Sequence, residues 1–157
     1  MRRLTILGAL LIASCAGGGE DQWKVRDRDS GATPGASAQK IAQDGVGYLA
    51  LSCDRGGPLA VLIGTPVNVA PTGRRDPQPR TIHYRVDGGA EKQAEVHVLE
   101  DIIHVDDGSL PSMLADIATA SRLDLRTRSD GGGNLAMTVD LAGLAEARAE
   151  VEEMCRG

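Results

Sequence analysis

The sequence predicts a single α+β domain, mainly an antiparallel sheet of about seven strands with one mid-chain helix and one C-terminal helix. Three observations predict this class. Several short stretches alternate apolar and polar residues between glycine and proline turns, two stretches repeat apolar residues with helical spacing, and regular β-α-β alternation is absent. Hairpins without crossover helices are typical of antiparallel sheets.

The first half of the chain carries three strand patterns. Residues 23–29 and 46–53 alternate in polarity, and residues 59–65 form a continuous apolar run bounded by prolines. The small, polar stretch 30–39 and the segment 71–79, which contains three prolines, are predicted to be loops.

Residues 80–100 carry the strongest hairpin pattern, with the turn sequence Asp-Gly-Gly at 87–89. Apolar residues stay on one face if residues whose numbers sum to 180 lie opposite one another. The predicted pairs are Tyr84 with Val96, Ile82 with Val98, Arg85 with Glu95, and His83 with His97. A further strand is predicted over residues 101–107.

A mid-chain helix is predicted after this strand. Ser109 is predicted to cap its N-terminus, and Pro111 lies in its first turn, where proline is tolerated. The residues that share one helical face are Leu110, Met113, Leu114, Ile117 and Ala118.

The C-terminal part predicts a second hairpin followed by the last helix. Strands over 123–128 and 135–140 flank a glycine-rich turn at 129–134. Asp140 is predicted to cap a helix over 141–155. The residues predicted to face the core from this helix are Leu144, Ala147, Val151 and Met154.

The N-terminus resembles the signal sequence of bacterial lipoproteins. Arg2 and Arg3 precede about ten apolar residues, the pattern of a secretory signal, whereas a membrane-spanning helix takes about 20. Residues 12–15, Ile-Ala-Ser-Cys, fit the lipobox, which implies that Cys15 is acylated and becomes the mature N-terminus. An ordinary cleaved signal with an incidental cysteine is the alternative.

These features divide the chain into a signal peptide (1–14), an acylated Cys15 with a flexible tether (15–22) and a single α+β domain (23–157). Several acyl chains anchor a protein far more firmly than one chain does. Ala16 follows the cysteine. The resemblance to bacterial lipoproteins implies that a residue other than Asp there permits export to the outer membrane, facing the periplasm.

The composition is acidic and poor in aromatic residues. Lys and Arg number 17 against 22 Asp and Glu, a formal charge of −5, and loss of Arg2 and Arg3 would leave 15 against 22, a charge of −7. An acidic surface argues against nucleic acid and anionic lipid headgroups as partners. With no Phe, one Trp and two Tyr, the core is expected to be aliphatic.

The three cysteines predict one disulfide. With Cys15 assigned to lipid, Cys53 and Cys155 form an even pair in an oxidising compartment, 102 residues apart. The chain-entropy argument gives about 4.7 kcal/mol of stabilisation for such a loop as an upper value. Two free buried thiols are the alternative, and no Cys-x-x-Cys is present to favour redox catalysis.

Four segments resemble the VasI/TagO-like proteins associated with type VI secretion in Gram-negative envelopes. They are YLALSC at 48–53, YRVDGG at 84–89, SRLDLRTR at 121–128 and TVDLAGLAEARAEVEEMC at 138–155. Trp23 matches the family's early tryptophan, Cys53 a cysteine that ends an early strand, and Cys155 the cysteine that closes the last helix. The resemblance covers about 46–155 and implies an accessory envelope protein without established chemistry. The family's mid-chain tryptophans and phenylalanines are missing here.

The histidines are the candidate chemical groups. None of His83, His97 and His104 lies in a G-x-S-x-G or H-E-x-x-H motif, so no catalytic residue and no cofactor is predicted. In the predicted register the Cβ atoms of His83 and His97 are about 5 Å apart. Such a pair could hold Zn²⁺ or Cu²⁺, with Glu95 or His104 as a further ligand. The favoured interpretation is a solvated sheet face that carries histidines.

The segment 73–80, GRRDPQPR, is locally basic on an acidic protein. It is interpreted as a solvated loop, with a docking loop for an acidic partner as the alternative. The acidic runs 100–101 and 106–108 lack the ligand spacing of a calcium loop and are interpreted as surface turns.

We therefore expect a non-enzymatic lipoprotein that faces the periplasm and acts as a binding or assembly accessory of the envelope. Its expected partners are the membrane, through the lipid, and an envelope protein. The alternative function is a small-ligand or metal-binding module that uses the face of the 80–100 hairpin, and an envelope hydrolase is the third hypothesis.

Overall fold

A computed structural model of the protein describes residues 22–28 and 33–156. The predicted signal peptide, Cys15 and nearly all of the tether lie outside the described residues. The elements are β1 (Lys24–Arg28), β2 (Gly35–Ile41), β3 (Tyr48–Asp54), β4 (Ala60–Gly64), β5 (Gln78–Val86), β6 (Lys92–Leu99), β7 (Ile102–Val105), α1 (Leu110–Ile117), β8 (Arg122–Arg128), β9 (Asn134–Asp140) and α2 (Leu144–Arg156).

The nine described strands form one antiparallel sheet in the order β1-β2-β3-β4-β7-β6-β5-β8-β9. The α+β class, the mid-chain helix and the C-terminal helix agree with the sequence prediction, but the strand number is nine, not about seven. No helix among the described residues combines the length and apolar character needed to cross a bilayer.

The one strand that no predicted strand segment covers is β2, most of which lies in the segment 30–39 that was predicted to be a loop. Its inward residues Ala36 and Ala38 are fully buried beneath Ala147 and Val151 of α2. Small side chains let the helix approach the sheet closely. The alternation of such small residues is weak in hydrophobicity, which is why the pattern resembled a loop.

One face of the sheet, here called the inner face, packs against both helices. Its side chains form an aliphatic core with Met113 and Ile117 of α1 and Leu144 of α2. The two ends of the sheet approach each other, because the Gln43 N–H after β2 donates a hydrogen bond to the Thr138 carbonyl of β9 at 2.9 Å. The opposite face, the outer face, is turned to solvent.

The register of the β5–β6 hairpin differs from the prediction. Tyr84 lies opposite Lys92 and Ile82 opposite Ala94, so paired numbers sum to 176 and not to 180. The turn sets this register. Asp87 (φ 49°) and Gly88 (φ 70°) both have the left-handed backbone conformation, so the chain reverses direction at these two residues. The shift is even, so the predicted inner face is kept: Ile82, Tyr84, Val96 and Val98 are all buried.

The predicted N-cap residue of the mid-chain helix is confirmed but makes no capping hydrogen bond with its side chain, and the predicted start of the last helix is wrong. Ser109 is the N-cap residue of α1, but its hydroxyl accepts a hydrogen bond from the Glu95 N–H at 2.9 Å and so joins the helix start to β6. Asp140 accepts a hydrogen bond from the Ala142 N–H at 2.8 Å in a turn, and α2 begins only at Leu144, later than predicted.

A polar network connects α1 to the β5–β6 hairpin. Asp116 accepts hydrogen bonds from the Tyr84 hydroxyl at 2.7 Å and from Lys92 Nζ at 2.5 Å. These two hydrogen bonds hold the pKa of Asp116 below its ordinary value despite partial burial. Burial, with the hydrogen bond to Asp116, raises the pKa of Tyr84. The network gives the buried tyrosine a partner for its hydroxyl, which a buried polar group requires.

Cys53 and Cys155 form a disulfide, as the sequence analysis predicted, with Cα atoms 6.3 Å apart. Cys53 lies in β3 and Cys155 in the last turn of α2, so the bridge joins the helix to the sheet. Close to the disulfide, the Gly56 N–H donates a hydrogen bond to the Cys155 carbonyl at 2.7 Å, which also joins the helix to the segment after β3. Together with Ala147 and Val151 the disulfide closes a small core cluster under α2.

Replacing both cysteines, Cys53→Ala with Cys155→Ala, is expected to lower the free energy of unfolding by about 2–5 kcal/mol, because the unfolded chain loses a cross-link over a long loop. Urea denaturation measures this difference. Reducing agent should destabilise the wild type by a similar amount and leave the double variant unchanged. Equal stability of the wild type with and without reductant contradicts the prediction.

Candidate functional site

Two adjoining depressions lie on the outer face over β5, β8 and β9. Their volumes are about 260 Å³ and 370 Å³, and both are lined by His83, Glu91 and Arg126. We call this surface the arginine face. Its charged residues are Arg80, Arg85, Glu91, Arg122, Asp124, Arg126 and Arg128.

Period-two alternation places the charged side chains of β8 outside. Leu123 and Leu125 of β8 are buried on the inner face, so their even-numbered neighbours in the segment SRLDLRTR point outward. The antiparallel pairing of β5 with β8 then sets His83 opposite Arg126 and Arg85 opposite Asp124. The centre of the face is therefore built on two paired strands.

Glu91, in the β5–β6 turn just before β6, is surrounded by three nitrogen-bearing side chains. Its carboxylate oxygens lie 3.3 Å from His83 Nδ1, 3.3 Å from Arg85 Nη2 and 3.8 Å from Arg126 Nη1. These groups are partly exposed, so each ion pair contributes little to stability. The arrangement is better described as a site for a carboxylate than as a structural bridge.

Asp124 is the second carboxylate of the arginine face. It accepts hydrogen bonds from Arg122 Nε at 2.9 Å, Arg122 Nη2 at 2.7 Å and the Thr138 hydroxyl at 2.7 Å. Burial raises the pKa of Asp124, but the hydrogen bonds from Arg122 and Thr138 outweigh it, so the pKa lies below its ordinary value. Asp124 is therefore ionised across the neutral range and fixes the position of Arg122.

The arginine face is positive although the chain is acidic. Five arginines and two carboxylates line the two depressions, which leaves a formal charge of +3 with His83 neutral, on a chain of formal charge −5. Among the residues that the structure describes, Arg80 and Arg128 make no ion pair. Ala136 lies opposite Arg126 in the β8–β9 ladder, and its small side chain leaves the depression open. The surface can accept an anion.

The structure separates the predicted histidine pair. His83 lies opposite Gln93 on β6, and His97 lies opposite Pro79 on β5 and His104 on β7, so the prediction that His83 faces His97 is wrong. The physical reason is the four-residue shift of the register. His97 Nδ1 instead hydrogen-bonds the Asp106 carboxylate. Within residues 22–28 and 33–156 no group of three or more His, Cys, Asp or Glu side chains could hold a metal ion.

The sequence analysis did not identify the arginine face. It singled out the basic segment 73–80, of which only Arg80 lines the site. The signal for the arginines of β8 was the alternation of charge with leucine in 121–128, which was used to predict a strand and as part of a family resemblance, but not to predict a binding face. That alternation shows which side chains share a face, but not that β8 pairs with β5.

Comparisons of the chain with family models, with curated proteins and with solved structures give no match.

The lowered pKa of Asp124 predicts an acid-sensitive contribution to stability. Because the folded-state pKa lies below the unfolded value of about 4, the stabilisation is present above about pH 4 and is lost as pH falls through the folded pKa. Asp124→Asn should therefore reduce the loss of unfolding free energy between about pH 5 and pH 2, measured by urea denaturation. Asp130→Asn, in the exposed β8–β9 turn, is the control. An unchanged pH dependence in Asp124→Asn would contradict this assignment.

Proposed function

We propose that the protein is a non-enzymatic lipoprotein of the bacterial envelope and that its folded domain binds an acidic segment of a partner protein through the arginine face. In this proposal acylated Cys15 attaches the chain to the outer membrane, and the domain faces the periplasm. The observation that carries the recognition part is the +3 arginine face on a chain of net charge −5.

Arginine suits this role because its planar guanidinium donates paired hydrogen bonds to a carboxylate and stays charged at all relevant pH values. A local positive surface on an otherwise acidic protein also orients an approaching acidic partner, while the rest of the surface repels it. The backbone that carries the arginines of β5 and β8 is fixed by strand pairing, so the ordering that binding requires is confined to side chains.

The charged side chains of the arginine face form ion pairs and hydrogen bonds with one another, an arrangement that favours ligand binding over catalysis. Glu91 is held by His83 and two arginines, and Asp124 by Arg122 and Thr138. Glu91 contacts only nitrogen-bearing side chains, and the carboxylate oxygen of Asp124 that accepts from the Thr138 hydroxyl is also held by two hydrogen bonds from Arg122, so it is poorly placed to act as the base that covalent catalysis uses. We therefore propose an accessory role.

An association with type VI secretion remains part of the proposal because of the sequence resemblance. The disulfide supports an oxidising location such as the envelope, since such bridges are rare in the cytosol. The two bridged cysteines, Cys53 and Cys155, are the positions that the resemblance matched to the family's cysteines.

The alternative proposal is a module for a small ligand on the face of the 80–100 hairpin. His83, Arg85 and Glu91 belong to that hairpin and line the first depression, which favours an anionic small molecule over a metal ion. Separate titrations with a short acidic peptide and with a small dicarboxylate distinguish the two proposals, because the ligand class that the site recognises should bind with the higher affinity.

The lipid anchor is tested with the full chain expressed in a Gram-negative host. Wild-type protein should partition with membranes and carry, at Cys15, the added mass of acyl groups, whereas Cys15→Ala should be neither cleaved at that site nor acylated. Ala16→Ser, which leaves the cysteine intact, is the control. A wild-type N-terminus that begins at an unmodified residue rejects the lipoprotein proposal.

Recognition by the arginine face is tested by titrating the full chain in non-ionic detergent with a short glutamate-rich peptide. Arg126→Glu should weaken binding by about 10- to 100-fold, because a charge-assisted hydrogen bond is replaced by repulsion. Arg26→Glu, on strand β1 and outside the arginine face, makes the same charge change and should have a small effect. Equal losses in both variants would show that only net charge matters.

A further inference from the structure

We infer that Glu91 occupies the place of a ligand carboxylate, and that an extended acidic segment binds the arginine face by displacing Glu91 and placing a second carboxylate beside Arg128. This inference rests on the proposed recognition of an acidic partner and names the form of that partner.

The contacts of Glu91 are those of a bound carboxylate. Its oxygens approach side chains from two different strands, His83 and Arg85 on β5 and Arg126 on β8, at 3.3–3.8 Å. Glu91 belongs to neither strand of this site, because it lies in the turn that leads into β6. A carboxylate of another chain can therefore take the same donors if the turn moves aside.

The attachment of Glu91 is weak enough to be displaced. The side chains of His83, Arg85 and Glu91 are each more than a third exposed, and water screens their attraction. The Nε atom of Arg85 is buried without a hydrogen-bond partner among the described residues. Glu91 contacts this arginine through Nη2 alone and leaves its Nε donor unused.

The spacing of the arginines selects an extended ligand. Arg126 and Arg128 lie two residues apart on β8, so their side chains leave the same face about 7 Å apart. Alternate residues of an extended peptide have the same spacing. If one acidic residue of the peptide contacts Arg126 in the place of Glu91, the peptide residue two positions further along lies beside Arg128. Both Arg128 and Arg80 line the second depression. The ligand class is a peptide with acidic residues at alternate positions.

The experiment compares two peptides of identical composition on the full chain in non-ionic detergent. One alternates Glu with Ser over six residues, and the other carries three Glu followed by three Ser. Titration calorimetry at low salt measures binding to the wild type, to Glu91→Gln and to Glu95→Gln. Glu95, on the outer face of β6 and bound to the Thr81 hydroxyl at 3.0 Å, is the matched control for loss of one negative charge nearby.

Glu91→Gln should bind the alternating peptide about fivefold more tightly than the wild type, because the internal competitor is gone, and Glu95→Gln should stay within about twofold. The alternating peptide should bind more tightly than the block peptide. Wild-type affinity in Glu91→Gln, or equal affinity for both peptides, overturns this inference and leaves the proposed recognition intact. Absence of binding by either peptide to any variant overturns both.

Inorganic phosphate and phosphatidylglycerol vesicles complete the test as separate titrants. If Glu91→Gln tightens binding of either of these and leaves the peptide affinity unchanged, the anion is a phosphate and the assignment to a polypeptide is wrong.

Discussion

Period-two alternation in strands β5 and β8 is the constraint on which the rest of the structure depends. Burial of Leu123 and Leu125 beside Ile82 and Tyr84 holds the inner face together, since the chain has no Phe and one Trp to contribute larger apolar groups. The same alternation forces the intervening charged residues onto the outer face of two adjacent strands. The core and the arginine face are thus two results of one pattern.

An aliphatic core of this kind leaves the helices dependent on additional attachments. Helix α2 packs on alanines and is joined to β3 by the disulfide, and helix α1 is joined to β5 and β6 through Asp116 and the Ser109 hydroxyl. The α1 attachments act on the strand β5 that carries His83 and Arg85. Contacts on the inner face therefore help to fix the strand whose charged side chains lie on the outer face.

Local pattern was enough to predict the fold class, both helices, the cysteine pair and the inner face of the main hairpin, because each depends on residues close in sequence or on simple counting. Strand β2 was missed because Ala36 and Ala38 are too small to give a clear hydrophobic alternation. The hairpin register was wrong by four residues because the left-handed pair at Asp87 and Gly88, and not the apolar pattern, sets it. The arginine face requires the non-local pairing of β5 with β8, which no local pattern specifies.

The near-closure of the sheet has a consequence for how neighbouring copies meet. The unpaired backbone groups of an edge strand are templates on which another chain can add, and this risk grows with local concentration. Here Gln43, two residues after β2, covers part of the β9 edge through its N–H hydrogen bond to the Thr138 carbonyl, and the β1 edge is rich in charge, with the sequence KVRDR. Both edges are therefore poor templates for the addition of a strand from a second copy.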